Sequence, residues 1–159
     1  MRPVAQTQVR SCASSPADRA ALAALRRRWS EEDAGSPIED PGFEERAAAW
    51  IEANESHRLA WLAEDGGQPV GFVTAIVVER MPTPGSPDSG WGYVHHLFVV
   101  PERRSSGVGA RLLAAVVAEA RARGWEQLLL RPRPRSRPFY ERAGFIAGGD
   151  RFLVLRLSP

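Results

Sequence analysis

Apolar residues recur at helical spacing in the first third of the chain. Leu22, Leu25, Arg26 and Trp29 fall on one stripe behind Ser15, a candidate N-cap, and Pro16 at the first helical position, which predicts a helix over residues 16–32. Phe43, Ala47, Trp50 and Ile51 repeat the pattern over 43–54, after a Gly/Pro-containing loop at 35–42. Strand-like runs follow at 58–63 and 70–79, separated by Glu64, Asp65, Gly66 and Gly67, residues suited to a tight antiparallel hairpin. A Pro/Gly-rich loop, 81–90, precedes the most strand-like run, 91–100, which Pro101 ends. Val108, Leu112, Val116 and Ala120 restore the helical period over 107–123, closed by Gly124. A short strand at 127–130, a short helix at 137–142 and a last strand at 152–157 complete the pattern. With a weakly alternating edge strand at 4–11, the order is β-α-α-β-β-β-α-β-α-β, a mixed α/β layer fold.

Composition changes this picture in three ways. The 159 residues, 43% hydrophobic and 25% charged, match ordinary globular usage, so one domain spanning 1–159 is expected. All 21 basic residues are arginine, which removes Schiff-base lysines and the phosphate-loop lysine from the possible chemistries. Cys12 is the only cysteine, so no intramolecular disulfide can form, and its place near the N-terminus reads as incidental. Residues 1–10 lack the apolar centre of a leader, and no stretch approaches the roughly 18 apolar residues of a membrane span, so a cytoplasmic protein with no membrane partner is expected. No metal is expected either. The net charge of +2 conceals an asymmetry: residues 1–100 hold 9 Arg against 14 acids, residues 101–159 hold 12 Arg against 5. Such a basic block suits a polyanion or a phosphorylated cofactor.

The junction between the strong strand and its helix carries the chemistry. Arg104, Ser105, Ser106, Gly107, Val108, Gly109 and Ala110 place two glycines at a helix start, where the backbone can approach a ligand and unpaired N–H groups meet the positive end of the dipole. A pyrophosphate suits such a site. Arg104 adds a fork of donors, and the two serines add hydroxyls.

The run from Leu97 to Gly109, followed some thirty residues later by Phe139, Tyr140, Glu141, Arg142, Ala143, Gly144 and Phe145, resembles the GCN5-related N-acetyltransferases (GNAT) in order and spacing. The resemblance implies a single-domain α/β fold whose mixed central sheet is splayed in the middle and flanked by helices on both faces. It implies acetyl-CoA as co-substrate, with the pyrophosphate on Arg104 to Ala110 and the pantetheine arm on the strand edge Phe98, Val99 and Val100. It also implies transfer of an acetyl group to an amine by direct attack in a ternary complex, and a homodimer is common among members. Tyr140 takes the position of the acid that protonates the departing thiolate. Family members often hold Asn and Ala where this chain has Arg133 and Ser136, so Arg133 is a candidate for reaching a phosphate in place of an amide, with Arg103 and Arg135 as further candidates.

The resemblance further implies a base at His95 or Tyr93, or a water acting in their place. Strand alternation puts Tyr93, His95, Leu97 and Val99 on one face and His96 with Phe98 on the other. His95 has an ordinary pKa of about 6.5, suited to accepting a proton near neutrality. Trp29, Glu31, Glu32 and Asp33, at the end of the first helix, are candidates for drawing in a cationic amine. Trp29, Glu32, Tyr93 and His95 are thus the acceptor residues, walled by the loops at 35–42 and 81–90. The acidic helix end and the long loop favour a small-molecule amine over a protein N-terminus or lysine. A catalytically idle acetyl-CoA sensor is the alternative on the same fold. The Arg-Pro run at 131–138 lacks the interleaved aromatics of a nucleic-acid surface, so no nucleic-acid partner is expected.

Overall fold

The structure is a computed structural model and describes residues 7–12, 14–85 and 90–149. Strand β1 (Gln8–Ser11) leads into helix α1 (Pro16–Ala34), and α2 (Phe43–Ala53) follows. The sheet continues with β2 (Arg58–Asp65), β3 (Gln68–Glu79) and β4 (Gly90–Val99); α3 (Val108–Ala122), β5 (Leu128–Leu130) and α4 (Arg137–Arg142) complete the described elements. The strand expected at 152–157 lies outside the described residues, as do positions 4–6 of the first one.

The local signals act as the sequence suggests. The Ser15 side chain accepts the Asp18 N–H at 3.1 Å and caps α1, which runs two residues beyond expectation to a left-handed Gly35. Gly66 and Gly67 both have positive φ and form the two-residue turn between β2 and β3, one step later than the hairpin composition alone implied. The sheet order is β1-β2-β3-β4-β5, antiparallel throughout except for the parallel β4–β5 pair.

Neighbouring residues on β3 show which helix covers which face. Trp29 of α1 packs edge-on against Phe72 at 6.2 Å, whereas a Cβ built on Gly71 would lie 3.3 Å from Leu112 of α3. Adjacent strand residues point to opposite faces, so α1 and α3 lie on opposite sides of the sheet. Leu62, Val73, Leu112 and Val116 are fully buried in the apolar core that these layers share.

Candidate active site

Among the described residues β4 is paired on both sides along only three of its ten residues. β5 matches Gly92, Tyr93 and Val94 and then ends, so among the described residues no strand lies opposite Leu97 and Val99 on that side. The Val100 N–H donates to the Val70 carbonyl at 2.9 Å, and by alternation of the ladder the backbone groups of Leu97 and Val99 point away from β3, into the gap. The chain then makes a short turn at Pro101–Arg103 and enters α3 through Ser105 (φ 59°) and Gly107 (φ 81°). No side chain caps α3, which leaves its first N–H groups aimed out of the helix start.

A cavity of about 990 Å³ follows this edge. It brings together Phe98, Val99, Arg104, Ser105, Gly107, Gly109, Ala110, Arg133 and Tyr140 from the sequence-predicted cofactor set. Three members of that set lie elsewhere. Val100 and Val108 are buried in the core, and the Ser106 hydroxyl donates to the Arg103 carbonyl at 2.6 Å. Arg103 is taken by the buried carboxylate of Asp65. The cavity is nonetheless strongly basic: among the described residues Arg26, Arg104, Arg131, Arg133, Arg135 and Arg142 line it against a single carboxylate, Glu32.

The acidic end of α1 serves these arginines. Glu32 accepts two hydrogen bonds from Arg104, at 2.8 and 2.7 Å, and Asp33 accepts two from Arg133, at 3.0 and 2.8 Å. Both carboxyls are held below their ordinary range by those bonds. Trp29 stacks on Phe98 at 5.6 Å, within the same cavity. Glu32 and Trp29, expected to receive the acceptor, line the basic cavity beside Phe98, Val99 and Arg104, and the carboxylates of Glu32 and Asp33 face guanidinium groups. Arg104 Nε also donates to the Val99 carbonyl at 2.9 Å.

Tyr140 lines the cavity with its ring against Phe139 and Phe145, and burial raises its pKa. It stays protonated at neutral pH and available as a donor.

The two histidines depart from simple alternation. The β3–β4 register pairs Thr74 with His96 and Ala75 with Val94, which leaves His95 as the extra residue of a β-bulge. The bulge turns His95 to the side of His96: their ring centroids are 4.0 Å apart and both line the same cavities, so His95 does not share the face of Leu97 and Val99. Arg58 Nη1 lies 3.3 Å from His95 Nδ1. An arginine can only donate, so Nδ1 accepts and the neutral ring carries its proton on Nε2. Burial, with Arg58 and Arg26 nearby, lowers the His95 pKa, and burial pushes His96 down to about 4.

A second cavity, of about 680 Å³, lies between α1, α2 and the sheet, and shares Arg26, His95 and His96 with the first. Its lining includes Leu22, Phe43, Trp50, Ile51, Arg58 and Phe72. Of the expected acceptor residues only His95 borders it; Tyr93 borders neither cavity. Of the expected walls, no residue of the 35–42 loop borders the second cavity, and the 81–90 loop lies partly outside the described residues. Arg58 was not singled out from the sequence, although an arginine opening the apolar run Leu59 to Ala63 was a readable outlier, and Trp50 was read only as part of the apolar stripe of the second helix.

The family model described as the Acetyltransferase (GNAT) family matches residues 22–145, and the chain belongs to that family. Solved structures share the fold. A predicted acetyltransferase of Clostridium acetobutylicum, solved with acetyl-CoA, superposes with TM-score 0.73 at 21% identity, covering 95% of this chain and 96% of that one. AAC(6')-Iy, in complex with the bisubstrate analogue CoA-S-monomethyl-acetylneamine, gives 0.71 at 20% identity over 97% and 99%. A ribosomal-protein-alanine N-acetyltransferase of Brucella melitensis gives 0.69 at 21% over 95% and 100%. No curated protein matches the sequence. Among the described residues no helix is long and apolar enough to cross a membrane.

Proposed function

We propose that the chain is an acetyl-CoA-dependent N-acetyltransferase that moves an acetyl group to a primary amine of a small molecule within a ternary complex. One observation carries the reading: a basic cavity that follows an open strand edge into an uncapped helix start meets a second, largely apolar cavity at His95 and His96. The helix start and the arginines suit the pyrophosphate, and the open edge of β4 offers backbone groups to the pantetheine amides.

The chemistry divides among few groups. The amine nitrogen attacks the thioester carbonyl carbon, the C–N bond forms, and the C–S bond breaks as the tetrahedral species collapses. The Val99 N–H, directed into the gap, is the donor for the oxyanion. The Tyr140 hydroxyl gives its proton to the leaving sulfur. An ordinary phenol near about 10 gives a proton to a thiolate whose acid lies near about 8.5 slightly uphill, and burial, which raises the Tyr140 pKa, adds to that cost. His95 takes the ammonium proton once Arg58 leaves Nδ1; while Arg58 stays, a water has that role.

The test is release of free CoA thiol over a panel of amines, with Tyr140→Phe as the control. Transfer by the native chain and a rate collapse in the variant are expected. No transfer to any amine, with acetyl-CoA still bound, would favour the idle sensor.

A further inference from the structure

Charged groups around the second cavity are mostly matched. Arg19 meets Glu52 and Glu55, Arg123 meets Glu119, and Asp18 meets Arg10. Arg58 and Arg26 differ, for among the described residues neither has a carboxylate within ion-pair distance; Arg26 senses Asp33 only at longer range. The Arg58 guanidinium lies over the Trp50 ring at 4.6 Å, gives one donor to His95, and holds a buried Nε without a partner. Arg26 rests over Trp29 at 5.0 Å, on the wall that both cavities share. A half-buried cation with no counter-charge is costly unless something supplies one. The remaining wall near Arg58, from Leu22, Phe43, Ala47, Trp50 and Ile51, is hydrocarbon and aromatic.

We propose that the acceptor is an amine that also carries a carboxylate on an apolar body, an amino-acid-like molecule whose carboxylate docks on Arg58 and Arg26. The planar guanidinium fork matches a carboxylate, and two uncompensated cations repel polycationic amines. The amine then lies beside His95 and His96, where the cavities meet. Docking draws the Arg58 donors to the carboxylate and frees His95 Nδ1, which takes the ammonium proton before attack. This substrate assignment rests on the acyltransferase reading above.

Two measurements keep the assignments apart. Calorimetric titration of the CoA-saturated protein with N-acetyl-L-phenylalanine and with N-acetyl-L-phenylalaninamide compares ligands that differ only at the carboxyl group and needs no turnover. The acid is expected to bind at least about tenfold tighter, and Arg58→Gln is expected to bring the two within about threefold. Equal binding, or preference for the amide, by the native protein overturns the carboxylate assignment, whether or not Arg58→Gln folds. In the second measurement, kcat/KM for free L-phenylalanine is compared with that for a C-terminally amidated dipeptide. A dipeptide acetylated as well as the free acid also overturns it. Acid-selective binding with no transfer to any amine would uphold the pocket and fail the acyltransferase reading.

Discussion

The two cavities use arginine in opposite ways. Along the cofactor cavity Arg104 and Arg133 are held in bidentate pairs by Glu32 and Asp33, at the rim and partly in water. Under α1 and α2, Arg58 leans on an aromatic ring and a histidine, and among the described residues no carboxylate lies within ion-pair distance of it. An exposed pair is worth only about 0–1 kcal/mol, so it fixes a guanidinium fork in place yet yields readily to a phosphate. An isolated, half-buried cation instead remains a standing demand for an anion. The first arrangement pre-positions charge for a ligand that brings several charges of its own. The second selects for a ligand that brings one.

Tyr140→Phe separates chemistry from both kinds of binding. It keeps the ring packed on Phe139 and Phe145 but removes the proton, so kcat is expected to fall by about 10²–10⁴-fold while the Kd for acetyl-CoA changes by less than about twofold. A rate within threefold of the native one would remove Tyr140 from the acid role.

Gly109→Ala acts on the cofactor cavity alone. A Cβ there would meet Phe139 at 3.5 Å, an ordinary contact, so the fold tolerates it, and alanine favours the helix by about 1 kcal/mol. Melting temperature is expected to hold or rise while, if the proposed pyrophosphate site is right, acetyl-CoA binds about tenfold or more weakly, because Gly109 lines the cavity at the helix start. Gly107→Ala contrasts with it: at φ 81° the substitution strains the backbone by about 1 kcal/mol or more and lowers stability as well. Unchanged acetyl-CoA binding in Gly109→Ala would move the phosphates away from the start of α3.

The histidines give the acceptor side its pH signature. His95 and His96 face each other, Arg58 and Arg26, and each has a pKa below the ordinary 6.5. The folded state resists protonating them, so stability is fully present above about pH 6.5 and declines as pH falls toward the folded value of about 4 for His96. Chemical denaturation at stepped pH is expected to show this slope, shallower in His96→Gln. The kcat/KM for the acceptor should likewise hold level down to pH 6.5 and fall only below it. An acid limb centred above 6.5 would contradict a depressed histidine as base.

Glu32→Gln is the smallest effect and the closest test of the contrast. With Arg104 released, acetyl-CoA is expected to bind about two- to fivefold tighter in low salt, the gain fading as salt screens the charges. Weaker binding would mean that the carboxylate serves chiefly to hold the fork in position.

The element order was legible because each element carried a local signal: a cap at Ser15, a period change after Pro101, two glycines in the hairpin. Most of the cavity lining at the start of α3 was legible for the same reason, since its residues are contiguous. The acceptor side was not. Alternation counts residues and cannot see an inserted one, so the bulge at His95 reversed a face assignment that was sound for an unbroken strand. The pairing of Glu32 with Arg104, and of Asp33 with Arg133, joins positions 72 and 100 residues apart, which no local pattern encodes. Arg58 gained its meaning only when α2 brought Trp50 over it.

The singly paired stretch of β4 has a further consequence. Free N–H and C=O groups along a strand are a template for a foreign strand, and natural sheets guard such borders against sticking to one another. On the function proposed above, the border stays open for a ligand, so neither another strand nor a proline can seal it. Arg104 meets both needs: reaching back to the Val99 carbonyl, it places a charged, hydrated side chain across the border that an aggregating strand must displace. Arg104, which also pairs with Glu32, thus lies across backbone that a second strand would need in order to add there.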